Sequence, residues 1–296
     1  MGWIVPFTSL LSCRSVCVPL LLALCLLPRP TAAQNGSVGF WELSTRQEAF
    51  MLNLNPSADE ERYSTLRADF IRFGCGRRLT EQPLEGDHPA HRKTASPRNL
   101  ICTLPGKYSI PIVILACYPA RPVDGGVSNG WPEAVLLPIM FQALQAQPRT
   151  FTYVFAELSG EDGERAFLEH LHDYSGSAPV AFIALEALGT GVPHFATAGP
   201  RSDRQVRQIL ESEAWRIATL QGFGATQQYE KNSRELNRSV FPNRLAEPLK
   251  QTPHVLVFGQ PGEAVTPQLF HRDFEFLAFY LCALDVKLDP LSGTAD

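Results

Sequence analysis

The sequence predicts an α/β fold: a central mixed, mostly parallel sheet with helices on both faces. Two observations carry this. Apolar runs of strand length (98–104, 111–117, 150–156, 179–186 and 254–258) alternate with segments of helical pattern (132–145, 162–172, 203–221 and 267–284). Strands separated by helices imply a sheet covered on both sides. The 296 residues are 45% hydrophobic and 19% charged, enough apolar material for one globular domain with a sizeable core.

The first 33 residues hold no acidic side chain, carry only Arg14 and Arg29 as charges, and enclose the apolar run Val16–Leu27. Pro28 and Pro30 end that run, and Thr31, Ala32 and Ala33 supply small residues for cleavage before Gln34. The pattern reads as a secretory signal peptide over 1–33. A membrane span needs about 20 apolar residues, more than this run offers. The expected organisation is therefore a leader over 1–33 and a single domain over 34–296. The location is secreted, periplasmic or otherwise extracytoplasmic, and membrane contact comes only through an uncleaved leader.

Residues 34–57 read as an irregular entry segment. In 58–74, Tyr63, Leu66, Phe70 and Phe73 recur at helical spacing, and Gly74 and Gly76 end the helix. Residues 77–98 are polar, contain three prolines and show no period, so they read as a surface loop. The strands Asn99–Gly106 and Ile110–Cys117 follow and are expected to lie next to each other. A Gly-rich turn (Asp124–Gly130), an apolar helix over 132–145 that Pro138 is expected to kink, and the strand Arg149–Ala156 come next. In 204–220, Val206, Ile209, Leu210, Ile217 and Leu220 fall largely on one face. Thr266 and Pro267 form a helix start, Thr as cap and Pro in the first turn. Residues 223–250 are long, polar and weakly patterned.

Composition narrows the function. The net charge is −4 and no basic block stands out, which argues against nucleic acid as a partner. Outside the leader, the cysteines are Cys75, Cys102, Cys117 and Cys282. An oxidising compartment permits disulfides, and Cys102 and Cys117 would meet if their strands pair; buried free thiols are the other reading. No Cys-x-x-Cys pair is present, so a thiolate zinc site is unsupported. Gly-x-Ser-x-Gly, P-loop, Gly-x-Gly-x-x-Gly and His-Glu-x-x-His motifs are also absent.

The order and spacing of 99–171 resemble the M28 family of zinc-dependent exopeptidases, which includes the glutaminyl cyclases. Looser similarity extends over 58–284. In that family the second strand ends in a His ligand, the Gly-rich turn carries a metal-bridging Asp, and the third strand ends in two adjacent Glu. The first Glu is a general base and the second a ligand. Here the segment Ala116–Pro119 is similar to the Ala-Cys-His-Tyr-Asp pattern of the cyclases, but Tyr118 stands where His is implied. The bridging position falls on Ser128, or on Asn129 if the turn shifts by one. Glu157 matches the general base, and Leu158 replaces the second Glu. With a register slip, Glu161 and Asp162 become a degenerate acidic pair; otherwise they charge the first turn of the next helix. Glu186 stands where the family has an Asp ligand. No His lies in 259–266, where the last ligand is implied, and His194 is a loop residue within reach of the same region.

The resemblance therefore implies an inherited scaffold with a dismantled metal site. A two-metal centre needs a bridging carboxylate and several converging nitrogen or oxygen donors. The expected protein is a secreted pseudoenzyme that binds a peptide or small molecule in a pocket formed by Tyr118, Ser128, Asn129, Leu158 and Glu186. Glu157 is a remnant base, with no metal ligands and no cofactor expected. The alternative is an active aminopeptidase or glutaminyl cyclase with a rearranged, zinc-dependent site using Glu157 and Glu186.

Overall fold

The computed structural model describes residues 30–32, 39–41, 44–84, 98–119, 121–123, 126–128, 130–222, 251–259 and 264–289. Two short strands, β1 (Pro30–Ala32) and β2 (Gly39–Trp41), pair antiparallel on either side of the expected cleavage point. Helices α1 (Thr45–Leu54) and α2 (Asp59–Arg72) follow, then β3 (Leu79–Pro83), β4 (Arg98–Leu104) and β5 (Tyr108–Cys117). Around the Gly-rich turn, β6 (Arg121–Val123) pairs antiparallel with β7 (Gly126–Ser128), ahead of α3 (Trp131–Leu144). The rest is β8 (Phe151–Leu158), α4 (Gly160–Glu169), α5 (Leu171–Ser175), β9 (Ala181–Glu186), β10 (His194–Ala198), α6 (Arg204–Leu220), β11 (His254–Phe258) and α7 (Pro267–Lys287).

Seven strands form one sheet in the order β10-β11-β9-β5-β8-β4-β3. β11, β9, β5 and β8 are mutually parallel, while β10 and β4 run antiparallel to their neighbours. The sheet is thus mixed with a parallel centre, as the strand-helix alternation requires. Alternating side chains feed two apolar layers. Ile112, Ile114, Tyr153, Phe155, Ile183 and Val257 pack with α2, α3, α6 and α7. Val113, Leu115, Val154, Phe182 and Leu256 pack with Phe167 of α4 and with Leu171 and Tyr174 of α5.

Several expectations are corrected. β4 and β5 are not neighbours, because β8 lies between them. Their connection crosses the start of β8, where a Cβ on Gly106 would sit 2.1 Å from the Phe151 carbonyl oxygen, so only glycine allows the crossing. Cys102 and Cys117 consequently do not meet. They also face opposite layers, and Cys102 is bonded to Cys75 at the end of α2. Cys117 and Cys282 are free and buried.

The entry segment contains α1, started by a capping box in which Ser44 and Gln47 satisfy each other's backbone amides. The polar 77–98 stretch contains β3, whose polarity and Pro83 suit the edge of the sheet. The short strand β10 also went unanticipated. α3 runs through Pro138 as one element and is buried on almost every side, as its uniform apolarity implies. Thr266 caps α7 by accepting from the Leu269 N–H, with Pro267 at the first position. Residues 223–250 lie outside the described residues. Among the described residues, no helix is long and apolar enough to cross a membrane.

Candidate functional site

The C-terminal ends of β8, β5 and β9 lie side by side and bring together four of the residues singled out in the sequence. Glu157 sits opposite Ala116 of β5 and Leu100 of β4, and Leu158 opposite Cys117. Tyr118 extends β5 by one residue, its N–H donating to the Leu158 carbonyl at 3.3 Å. Glu186 closes β9 opposite Phe258 of β11. Ser128 ends β7 opposite Arg121; Asn129 and Asp124 lie outside the described residues. The turn returns against β5 at Gly130, where φ is +68° and a Cβ would lie 2.5 Å from the Cys117 carbonyl oxygen.

Convergence on one end of the sheet does not put these residues on one face. By strand alternation Glu157 follows Tyr153 and Phe155 toward α3 and α7, and Tyr118 packs in that same layer. Leu158 belongs to the opposite apolar layer, and Glu186 follows Phe182 and Ala184 toward it. His194 lies on that side too, opposite Phe258 in the ladder and 5.6 Å from its ring; burial lowers its pKa. Glu161 and Asp162 are exposed in the first turn of α4, where Asp162 pairs with Arg165. They therefore act as charges at a helix start.

Tyr118 is a packed aromatic. Its hydroxyl reaches past β8 to donate to the Arg98 carbonyl at 3.0 Å, and its ring lies 6.5 Å from that of Tyr63. Burial pushes its phenol up to about 12, so the hydroxyl that donates to Arg98 keeps its proton near neutral pH. Arg62 of α2 donates to the Tyr118 carbonyl at 2.8 Å and to the Pro56 carbonyl at 2.8 Å, tying the α1–α2 connection to the end of β5.

Glu157 is fully buried, and neither carboxyl oxygen has a hydrogen-bond partner among the described residues. Burial, reinforced by the charge of Glu133, pushes its pKa well above the usual carboxylate range. Its charged form is therefore disfavoured by burial. It has no exposed atom with which to take a proton from a solvent water, as a general base must.

Two acidic residues that the sequence reading missed complete this side. Glu133, in the first turn of α3, accepts from the Ala187 N–H at 2.8 Å. Asp273 of α7 accepts from the Gly189 N–H at 2.6 Å. Together they hold the turn leaving β9, in which Ala187 adopts φ +49°. Burial, with a contribution from Glu133, raises Asp273 to about 7, against the lowering influence of the Gly189 N–H and Arg272. Each had a visible signal. Glu133 is the one charge in an otherwise apolar helix, and Asp273 interrupts the apolar stripe between Phe270 and Leu277.

No family model and no curated protein matches the chain by sequence. Solved structures match it by shape. The glutaminyl cyclase of Fimbriiglobus ruber superposes with a TM-score of 0.60 at 13% identity, covering 86% of this chain and 98% of the cyclase. The chain has the fold of glutaminyl cyclases and zinc-dependent exopeptidases. A leucine aminopeptidase precursor of Bacteroides thetaiotaomicron gives 0.55 at 16% identity, over 82% of this chain and 97% of that one. A Zn-dependent exopeptidase of Parabacteroides distasonis gives 0.51 at 13% identity, over 83% and 97%.

The zinc implied by this exopeptidase fold finds a poor donor set here. Among the described residues, no three His, Cys, Asp or Glu side chains are grouped to hold a metal. Glu157 and Glu186 face opposite layers, Leu158 is apolar, and the Tyr118 phenol is already engaged with a carbonyl. Zinc sites in proteins take at least three protein ligands, rich in nitrogen or sulfur. The described residues do not fit that centre.

Proposed function

We propose that this chain is a secreted domain of exopeptidase fold that has left zinc chemistry and serves as a pseudoenzyme binding a peptide or small molecule. The leader over 1–33 is removed and 34–296 acts as one domain. The observation that carries the reading is the state of Glu157, the counterpart of the general base. It is fully buried and unpartnered among the described residues, and burial, with the charge of Glu133, disfavours its ionised form. Water activation needs the opposite, an ionised carboxylate facing water and metal. The Cys75–Cys102 disulfide supports export, since disulfides persist in oxidising compartments.

The test is an assay of the purified protein, with added zinc, for release of N-terminal residues from peptides and for cyclisation of an N-terminal glutaminyl peptide. A glutaminyl tetrapeptide serves as binding probe in the same preparation. The expected result is binding without turnover. Turnover abolished by Glu157→Gln would overturn the pseudoenzyme reading in favour of a rearranged active site.

A further inference from the structure

The two edges of the seven-stranded sheet are built differently. β3 is guarded: Glu81 stands mid-strand, engaged by Arg67 and Arg98, and Pro83 has no N–H to offer. β10 (His194–Ala198) contains no Lys, Arg, Asp, Glu or Pro, and its ladder with β11 runs without a bulge. Burial lowers the pKa of His194, so the strand is uncharged near pH 7. Among the described residues, no backbone hydrogen bond joins Phe195, Ala196 or Thr197 to any strand but β11. In an antiparallel ladder, alternate residues of an edge strand turn their N–H and C=O outward, so β10 presents unpaired backbone groups.

An aromatic flank accompanies this edge. α6 packs on β10, and the Phe195 ring meets Trp215 of α6 edge-on, with 5.0 Å between centroids. Both side chains are only half-buried. Aromatic side chains in such positions are the usual anchors of protein interfaces.

We propose that β10 is the interface of a symmetric dimer, in which it pairs antiparallel with β10 of a second copy and joins the two sheets. Pairing centred on Ala196 sets Phe195 opposite the partner's Thr197, an aromatic against a β-branched side chain on one face, and brings each Phe195–Trp215 pair beside the two-fold axis. The choice of occupant follows from what β10 lacks. A strand kept for a foreign peptide needs a device against pairing with itself, such as a charge, a proline or a bulge, and β10 has none. A patch one strand and one helix wide lies at the low end of specific interfaces, so the dimer is reversible. The interface is separate from the pocket proposed above and needs neither a bound peptide nor the absence of zinc.

The test is sedimentation velocity of the purified protein from low to high micromolar concentration, with Thr197→Lys and, as control, Leu220→Lys, whose site on α6 is 71% exposed. The wild type and the control are expected to pass from one to two chains per particle as concentration rises. Thr197→Lys puts two ammonium groups into the joint and should weaken association about tenfold or more. Hydrogen exchange of the wild type decides the matter even where the variant folds poorly: the amides of β10 should slow at high concentration and those of β3 should not. A protein that is monomeric at every concentration, a dimer that Thr197→Lys leaves intact, or concentration-dependent protection at β3 instead of β10 would overturn the proposal. So would β10 amides slowed by a glutaminyl tetrapeptide rather than by protein concentration, which would assign the edge to the peptide.

Discussion

Reducing the Cys75–Cys102 bond tests the frame that carries the strand ends. The bond joins the end of α2 to β4 across 27 residues, and both cysteines are buried, at 1% and 0% exposure. Closing a loop of that length restricts the unfolded chain by about 3.5 kcal/mol in the chain-entropy account. For a domain of this size each kcal/mol is worth roughly 2–4 °C, so the loss corresponds to about 7–14 °C in Tm. The perturbations are Cys75→Ala/Cys102→Ala and, separately, dithiothreitol on the wild-type protein. Both are followed by circular dichroism in heat and in urea. Thiol titration in denaturant should find Cys75 and Cys102 protected and Cys117 and Cys282 reactive in the oxidised protein. The two perturbations should lower the midpoint by similar amounts. Free thiols at Cys75 and Cys102 in protein kept oxidised, or a reduced protein as stable as the oxidised one, would refute the reasoning.

Other expectations concern the corners around the site. Asn99→Ala removes a buried amide that donates to Gln82 and the Gly163 carbonyl at 2.7 Å and accepts from Ser159 at 2.9 Å. It should cost about 3 kcal/mol in urea unfolding, since buried partners are left unpaired. Gly130→Ala forces a side chain onto the Cys117 carbonyl at positive φ and should cost about 2 kcal/mol or more by the same measurement. Tyr118→Phe should cost only about 1 kcal/mol, one hydrogen bond to the Arg98 carbonyl, and leave peptide binding in place.

Much of the fold was legible because strands and helices of this kind announce themselves by period. Val180–Glu186, Val255–Phe258 and the α7 stripe fall where their patterns place them. What escaped had a local cause. α1 lacks a strong apolar stripe, and its evidence was the Ser44–Gln47 cap alone. β3 is polar because it is an edge. The separation of β4 from β5 depends on Gly106 crossing Phe151, which no period reveals. At the site, strand-end positions were legible and orientation was less so. Tyr118, Glu157, Leu158 and Glu186 do reach one end of the sheet, yet alternation sends Leu158 and Glu186 to the layer opposite Glu157. Glu133 and Asp273 were hidden in helices read only for their apolar faces.

The central claim is that this exopeptidase fold has no zinc centre, and elemental analysis tests it most directly. The purified protein is dialysed against micromolar zinc, then against metal-free buffer, and its zinc is counted per chain. The account predicts far less than one zinc per chain, unchanged by Glu186→Ala or Glu157→Gln. One or two zinc ions per chain, lost on either substitution, would contradict it.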